Sequence, residues 1–236
     1  MKILVYSDVH GNKDALENLL QSEDYKNADK RIFLGDAVSF CPYPNECIEI
    51  LKTSGDILLM GNHDYYCTFG ISDDEKQNFN KEFLIHLDYI RNIVTSENKE
   101  FLKNLNQDLE LKINDKKLYF THFLWETNEN LANNPDGRNK PSNLTAEIFD
   151  KKIDADYILF GHNHTPNKIE MNNKTFVCVG SLGVRSPANY IIIKTENNEI
   201  KIEQKQLNYN YKKVINDMKT LNYPSAKVFT NFFSEN

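Results

Sequence analysis

Short aliphatic runs that stop abruptly at polar residues recur along this chain. KILVYS, residues 2–7, is followed by a segment carrying Leu16, Leu19 and Leu20 at helical spacing. RIFL ends at Gly35-Asp36, NECIEILK reads as a helix with Pro44 near its start, and DILLM ends at Gly61-Asn62. Three such strand-loop-helix units predict a parallel sheet, where ligands gather beyond the carboxyl ends of the strands. Asp8, His10, Asp36, Asn62 and His63 all fall at those ends.

The pattern then changes. Phe79, Phe83, Leu87 and Ile90 predict a helix from about Asp74 to Ile93, and Glu97 to Leu105 predicts a second. LELKI and KKLYFTH, separated by the turn signal Asn114-Asp115, predict a hairpin that ends at His122. Phe123 to Asn143 is polar, rich in Asn and holds two prolines, so it reads as a long loop beside that end. Trp125, Arg138 and Lys140 make this loop the expected determinant of substrate choice. YILFGHNH repeats the strand-then-polar pattern. TFVCVG, NYIIIKT and EIKIEQKQL predict a second, mostly antiparallel sheet, and Tyr211 to Leu221 a closing helix. With no internal repeat or linker, residues 1–236 are expected to form one α/β domain.

Composition narrows the function classes. A net charge of −6 would repel a phosphate backbone, which disfavours duplex nucleic acid as a partner. No apolar run is long enough for a membrane-spanning helix. The first apolar run starts at once and leads into Asp8 and His10, so it reads as a buried strand and not as a signal peptide. The expected compartment is the cytoplasm, with Cys41, Cys47, Cys67 and Cys178 as free thiols because they lack paired CxxC spacing. Oligomeric state has no signature in the sequence.

Five of the six histidines lie in the polar motifs that close the strands. Taken singly, Asp8-x-His10 or Gly35-Asp36 could be no more than a turn. Gly61-Asn62-His63-Asp64 is sharper, since it puts an amide, an imidazole and a carboxylate at one strand end. In Gly161-His162-Asn163-His164, alternate residues of an extended segment point the same way, as metal-binding imidazoles would. His86 is the exception: it belongs to no motif and reads as a solvated or core-edge side chain of the long helical segment. Imidazole, carboxylate and amide oxygen without thiolate suit Mn²⁺, Fe²⁺, Zn²⁺, Ni²⁺ or Co²⁺, and argue against an iron-sulfur cluster or a structural zinc. Two carboxylates would serve two dications only if one bridged them, leaving net positive charge for an anionic substrate and a bound hydroxide.

In order, Asp8-x-His10, Gly35-Asp36, Gly61-Asn62-His63-Asp64, His122 and Gly161-His162-x-His164 resemble the signature of the calcineurin-like metallophosphoesterase superfamily, most of all its compact prokaryotic branch of phosphodiesterases and phosphatases. Pro42-Tyr43-Pro44-Asn45-Glu46 and Gly180-Ser181-Leu182-Gly183 extend the resemblance, which covers roughly residues 1–190. It implies a four-layer α-β-β-α fold, a two-sheet mixed β-sandwich flanked by helices. It also implies two divalent transition-metal ions, Mn²⁺ foremost: one on Asp8, His10, Asp36 and His164, the other on Asp36, Asn62, His122 and His162, with Asp36 bridging. The implied activity is hydrolysis of small phosphomonoesters or phosphodiesters, with a hydroxide between the metals attacking phosphorus in line. His63 would serve the leaving oxygen as acid and Asp64 would orient its ring. Cys41 stands where the branch often has glycine, and Arg185 comes slightly earlier than the arginine that often follows the glycine-serine motif. The alternative is a metal-bearing protein-interaction scaffold, which would have no need of His63. A nuclease would want a basic groove or a capping domain, which neither charge nor length supports.

Overall fold

The alternation along the first strand sets the layering. In β1 (Lys2–Tyr6), Ile3 and Val5 point to one face and Leu4 and Tyr6 to the other, and all four are inaccessible to solvent. A strand buried on both faces belongs in the middle of a layered α/β structure. The structure is a computed structural model that describes residues 1–125, 146–196, 199–224 and 226–233. The expected substrate-determining role of the Phe123–Asn143 loop, with Arg138 and Lys140, lies outside the described residues from position 126 onward.

After β1 come α1 (Lys13–Gln21), α2 (Glu23–Lys26), β2 (Lys30–Phe33), α3 (Pro44–Thr53), β3 (Ile57–Leu58) and α4 (Asn62–Phe69). α5 (Asp73–Lys76), α6 (Lys81–Ile93) and α7 (Ser96–Lys103) follow, then the hairpin β4 (Asp108–Ile113) and β5 (Lys116–Thr121). The remainder is α8 (Ala146–Lys152), β6 (Tyr157–Phe160), β7 (Asn167–Met171), β8 (Lys174–Cys178), β9 (Ala188–Glu196), β10 (Glu199–Leu207), α9 (Tyr211–Thr220), α10 (Ala226–Phe229) and a closing 3-10 turn, Thr230–Phe233.

The strands form two five-stranded sheets, ordered β10-β9-β1-β2-β3 and β4-β5-β6-β8-β7. β1, β2 and β3 are parallel, as are β5, β6 and β8, while β4, β7, β9 and β10 run antiparallel to their neighbours. Ile3, Val5, Ile32 and Leu34 meet Leu118, Phe120, Leu159 and Val177 between the sheets. On the outer face of the first sheet, Leu4, Tyr6 and Phe33 pack with Leu16, Leu19, Ile48 and Met218 of the helices, and Phe149 of α8 covers Ile158, Phe160 and Phe176 of the second. This is the expected four-layer α-β-β-α sandwich.

Register puts the chemistry on one rim. Tyr6 pairs with Phe33 and Phe33 with Leu58, while Thr121 pairs with Phe160 and Phe160 with Cys178. The parallel strands of both sheets therefore end level, and Asp8, Asp36, Asn62, His122 and His162 follow those ends.

Two expectations change. TFVCV enters the second sheet as β8, parallel to β6, whereas β9 and β10 return to complete the first, so the late strands do not make a sheet of their own. The helix expected from Asp74 to Ile93 is two, because the side chain of Asn80 accepts the Phe83 N–H and caps a fresh start for α6.

Candidate metal centre

Among the described residues, eleven other than glycine have positive φ. Four are asparagines, and the rest are Asp8, His10, Asp36, Ser39, Phe40, His162 and His164. Left-handed backbone is unfavourable for such side chains and is kept where surrounding contacts over-determine it. Here they do. Asp8 N–H donates to Gly35 O and His10 N–H to Asp36 O, each at 2.9 Å, interlocking the loops after β1 and β2. The Asp8 carbonyl accepts the Gly183 N–H and the Ser181 hydroxyl, both at 2.9 Å, so the Gly180–Gly183 stretch clamps the first loop. Gly61 and Gly161 permit the closeness: a Cβ on Gly61 would collide with the Asp36 carboxylate, and one on Gly161 with Ser7 Oγ and Asp8 Oδ2.

The seven residues expected to hold metals come together in two groups. In the first, Asp8 Oδ1 lies 3.2 Å from His164 Nε2 and 3.6 Å from His10 Nε2, and the two imidazole nitrogens are 3.0 Å apart. In the second, Asn62 Oδ1 lies 2.8 Å from His162 Nδ1 and 3.1 Å from His122 Nε2. Asp36 stands between them, its Oδ2 3.1 Å from His122 Nε2 and 3.7 Å from His10 Nε2. His10 Nδ1 lies 3.0 Å from the Val38 carbonyl, an acceptor only, so the ring proton sits there and Nε2 turns a lone pair inward.

These donors fit divalent cations. Asp8 Oδ1 and Asp36 Oδ2 are buried without a hydrogen-bond partner, a costly state for carboxylate oxygens. Burial opposes the charge on Asp8, yet the charge of His122 holds its carboxyl well below the usual range. Burial likewise opposes a proton on His122, but Asp36 and Asp8 push that imidazole up to about 9. Burial and the charge of His122 press His162 down to about 4. The cluster calls for positive charge at its centre, and His162 and His164 are held neutral, as ligands must be. Asp8, His10 and His164 have ligand atoms close enough for one ion, as do Asp8, Asp36 and His122.

His63 and Asp64 part company. His63 is buried beside the cluster, 7% exposed, its ring 5.0 Å from that of His10 and 4.9 Å from Phe40. Asp64 does not reach that ring. Its carboxylate accepts the N–H groups of Asp36, Ala37, Val38 and Gly61 at 2.8 to 3.3 Å. The expectation that Asp64 orients His63 is corrected by helix geometry: both lie in the first turn of α4, where adjacent side chains diverge. Asp64 instead braces the loop carrying Asp36. Asp64→Ala, which orphans four buried donors, is expected to cost on the order of 3 kcal/mol or more in denaturant titrations. Unchanged stability combined with a kcat loss matching that of His63→Ala would return the orienting role to it.

The sequence reading missed Ser181, Ser39 and Phe40. Ser181 lies inside Gly180-Ser181-Leu182-Gly183, where nothing in the sequence marks a clamp on Asp8. Phe40 lies in the loop after Asp36 and has no periodic signal, yet its ring touches three histidines of the site, His10, His63 and His164. Arg185 donates to Thr165 Oγ1 at 3.2 Å, one residue beyond His164, so its guanidinium stands at the rim. Cys41 is fully buried, and burial raises its thiol far above the ordinary value, which makes it a packing residue.

Comparison with known proteins agrees with this geometry. The profile of the calcineurin-like phosphoesterase superfamily domain matches residues 1–198. An uncharacterized protein of Methanocaldococcus jannaschii is 33% identical over 172 residues, 70% of this chain; the match spans 63% of that relative's length, less than two thirds. A metallophosphoesterase crystal structure from Sphaerobacter thermophilus superposes with a TM-score of 0.71 at 21% identity, covering 98% of each chain. The crystal structure of a hypothetical protein from Pyrococcus horikoshii gives 0.76 at 22% identity, covering 98% of this chain and 97% of that one. Both structural likenesses are likenesses of fold.

Proposed function

This chain belongs to the calcineurin-like phosphoesterase superfamily, and from that membership we propose that it is a metal-dependent phosphoesterase that uses two divalent cations to hydrolyse small phosphomonoesters or phosphodiesters. The observation that carries the reading is the convergence of seven candidate ligands at one rim of two sheets, with carboxylate oxygens of Asp8 and Asp36 buried and unpaired. Asp8, His10, Asp36 and His164 would hold one ion and Asp36, Asn62, His122 and His162 the other. Divalent cations held there, Mn²⁺ foremost, would supply an acidified water and neutralise charge on phosphoryl oxygens, the chemistry that in-line hydrolysis at phosphorus requires.

The chain's own groups do the rest. Asp36 shares its carboxylate between the two ligand groups while its Oδ1 accepts the His63 N–H at 2.8 Å, tying the start of α4 to the metal loop. Phe40 beside His10 and Phe123 against His162 wall the cluster with hydrocarbon, which strengthens electrostatic interactions inside it. His63, beside His10 and Asp36, is placed to give a proton or hydrogen bond to the leaving oxygen.

The whole chain, residues 1–236, is proposed to act as one domain. In support, Val214, Met218, Tyr223, Phe229 and Phe233, all beyond the family match, are buried in the same cluster as Leu4 and Tyr6. No helix among the described residues is long and apolar enough to cross a membrane. All four cysteines are unpaired, in keeping with the proposed cytoplasmic location.

The test is a screen of alkyl and nitrophenyl mono- and diesters, nucleotides and phosphopeptides, each with Mn²⁺, Ni²⁺, Zn²⁺, Co²⁺ or Mg²⁺ and each with a chelator. Hydrolysis of one ester class that the chelator abolishes is the expected result. Protein that binds metal tightly yet turns over none of them would leave the interaction-scaffold reading in its place.

A further inference from the structure

His86, the histidine outside every motif, is not a solvated side chain. It is fully buried on α6. Its Nε2 lies 2.9 Å from Ser39 Oγ and 3.2 Å from the backbone nitrogen of Phe40. A backbone N–H can only donate, so Nε2 is the unprotonated acceptor and the ring proton belongs to Nδ1. Burial holds the imidazole down at about 3, which keeps it neutral and able to accept.

The two residues it grips are the strained ones of the loop after Asp36. Ser39 has φ 88° and Phe40 φ 49°, and a bulky side chain in that region persists only where neighbours enforce it. The Phe40 ring then stands between two sets of groups. On one side are the rings of His10 at 4.3 Å and His63 at 4.9 Å; on the other, His86 stacks near parallel at 6.0 Å and Phe229 of α10 lies at 4.8 Å. His63 Nδ1 has no hydrogen-bond partner and Asp64 is engaged elsewhere, so ring packing has to orient His63. That packing comes from Phe40, from Tyr66 and from Phe83, which sits one turn before His86 on the same helix.

We propose that His86 is a positioning residue for this site: by accepting hydrogen bonds from Ser39 and Phe40 it fixes their left-handed turn, and through the Phe40 ring it sets the orientation of His63 and His10. The proposal rests on the phosphoesterase reading for its kinetic consequences, not for its structural ones. It assigns a task to a buried histidine that binds neither metal nor substrate. It also makes the C-terminal segment, beyond the family match, a support of the site through Phe229, whose ring lies 4.5 Å from His86.

Two variants and one measurement on the unaltered protein test it. In H86Q the amide oxygen takes the place of Nε2 and can accept; in H86F the ring shape remains and the acceptor is gone. Long-range proton-nitrogen correlation on metal-free protein labelled at histidine is expected to show His86 protonated on Nδ1, which needs no variant to fold and no activity. The His10 and His63 ring resonances should move in H86F and return towards wild type in H86Q. With metal bound, kcat of H86F should fall by about 10- to 100-fold, the scale of a misplaced reacting group, with KM and metal content nearly unchanged and most of the loss recovered in H86Q. An Nε2-protonated His86 would overturn the proposal. So would an H86F protein with a lower melting temperature but unaltered kcat and unaltered His10 and His63 resonances, or an H86Q protein no better than H86F. If the wild type hydrolysed no ester, the functional reading would fall while the resonances still decided the positioning role.

Discussion

Asp36→Ala is expected to lose both metals, not one. Its Oδ2 lies 3.1 Å from His122 of one ligand group and 3.7 Å from His10 of the other, whereas Asp8 Oδ1 sits 3.2 Å from His164 in its own group and 3.9 Å from His122 in the other. Asp8, the other acid, lies against His164 and His10 and accepts the His162 N–H through Oδ2. Removing Asp36 leaves four imidazoles, an amide and a single carboxylate for two dications, too little negative charge to hold both. It also frees the His63 N–H, so the first turn of α4 loosens with the metal loop. Activity should drop by at least the order of 10³-fold, since one lost transition-state donor alone can cost that much. His10→Ala, by contrast, removes a neutral ligand from one group and should weaken mainly one site. Mass-spectrometric metal analysis after dialysis checks both variants. Two tightly held metals per chain in Asp36→Ala would remove the shared carboxylate from the reading.

Much of this site was legible because its parts obey local rules. An aliphatic run that stops at Asp8, Asp36, Asn62, His122 or His162 is a strand delivering a polar group to a sheet edge, and level register then makes the edges coincide. What could not be read depends on contacts between distant segments. β8 and β9 look alike as apolar runs, but their partners are chosen by packing across the molecule, and β9 returns to pair with β1. β7 was missed because it is an edge strand whose residues are largely exposed, which leaves no apolar alternation to detect. α4 is hidden for another reason: its first turn is built from Asn62, His63 and Asp64, polar residues with no apolar helical spacing. The nearness of Asp64 to His63 in sequence suggested a pair that the helix keeps apart. His86 and Phe40, 46 residues apart, meet only because α6 lies over the loop after β2.

His63→Ala should keep both metals and the fold while kcat falls by roughly 10²- to 10⁴-fold, the range for a general acid. Its ring packs against that of His10, and one of its nitrogens lies near enough to His10 and Asp36 for the three to share an ion, so metal content has to be measured beside activity. Burial drives the free imidazole well towards its neutral form, with the neighbouring histidines reinforcing that and Asp36 opposing it. A neutral ring still carries one N–H, so two modes of action differ in what they ask of the leaving group. As an acid, His63 protonates an oxygen that would otherwise depart as alkoxide; as a neutral donor, it stabilises charge on the phosphoryl oxygens whatever departs. An alkoxide needs that proton far more than nitrophenolate, which leaves as the anion. The acid role therefore predicts that the variant suffers most on alkyl esters and least on nitrophenyl esters, with an anionic substrate beside the ring supplying the charge that favours its protonated form. Kinetics on one ester of each kind, with metal content measured in parallel, separate the cases. An equal loss on both esters would make His63 a phosphoryl-stabilising donor, and a loss of bound metal would make it a ligand.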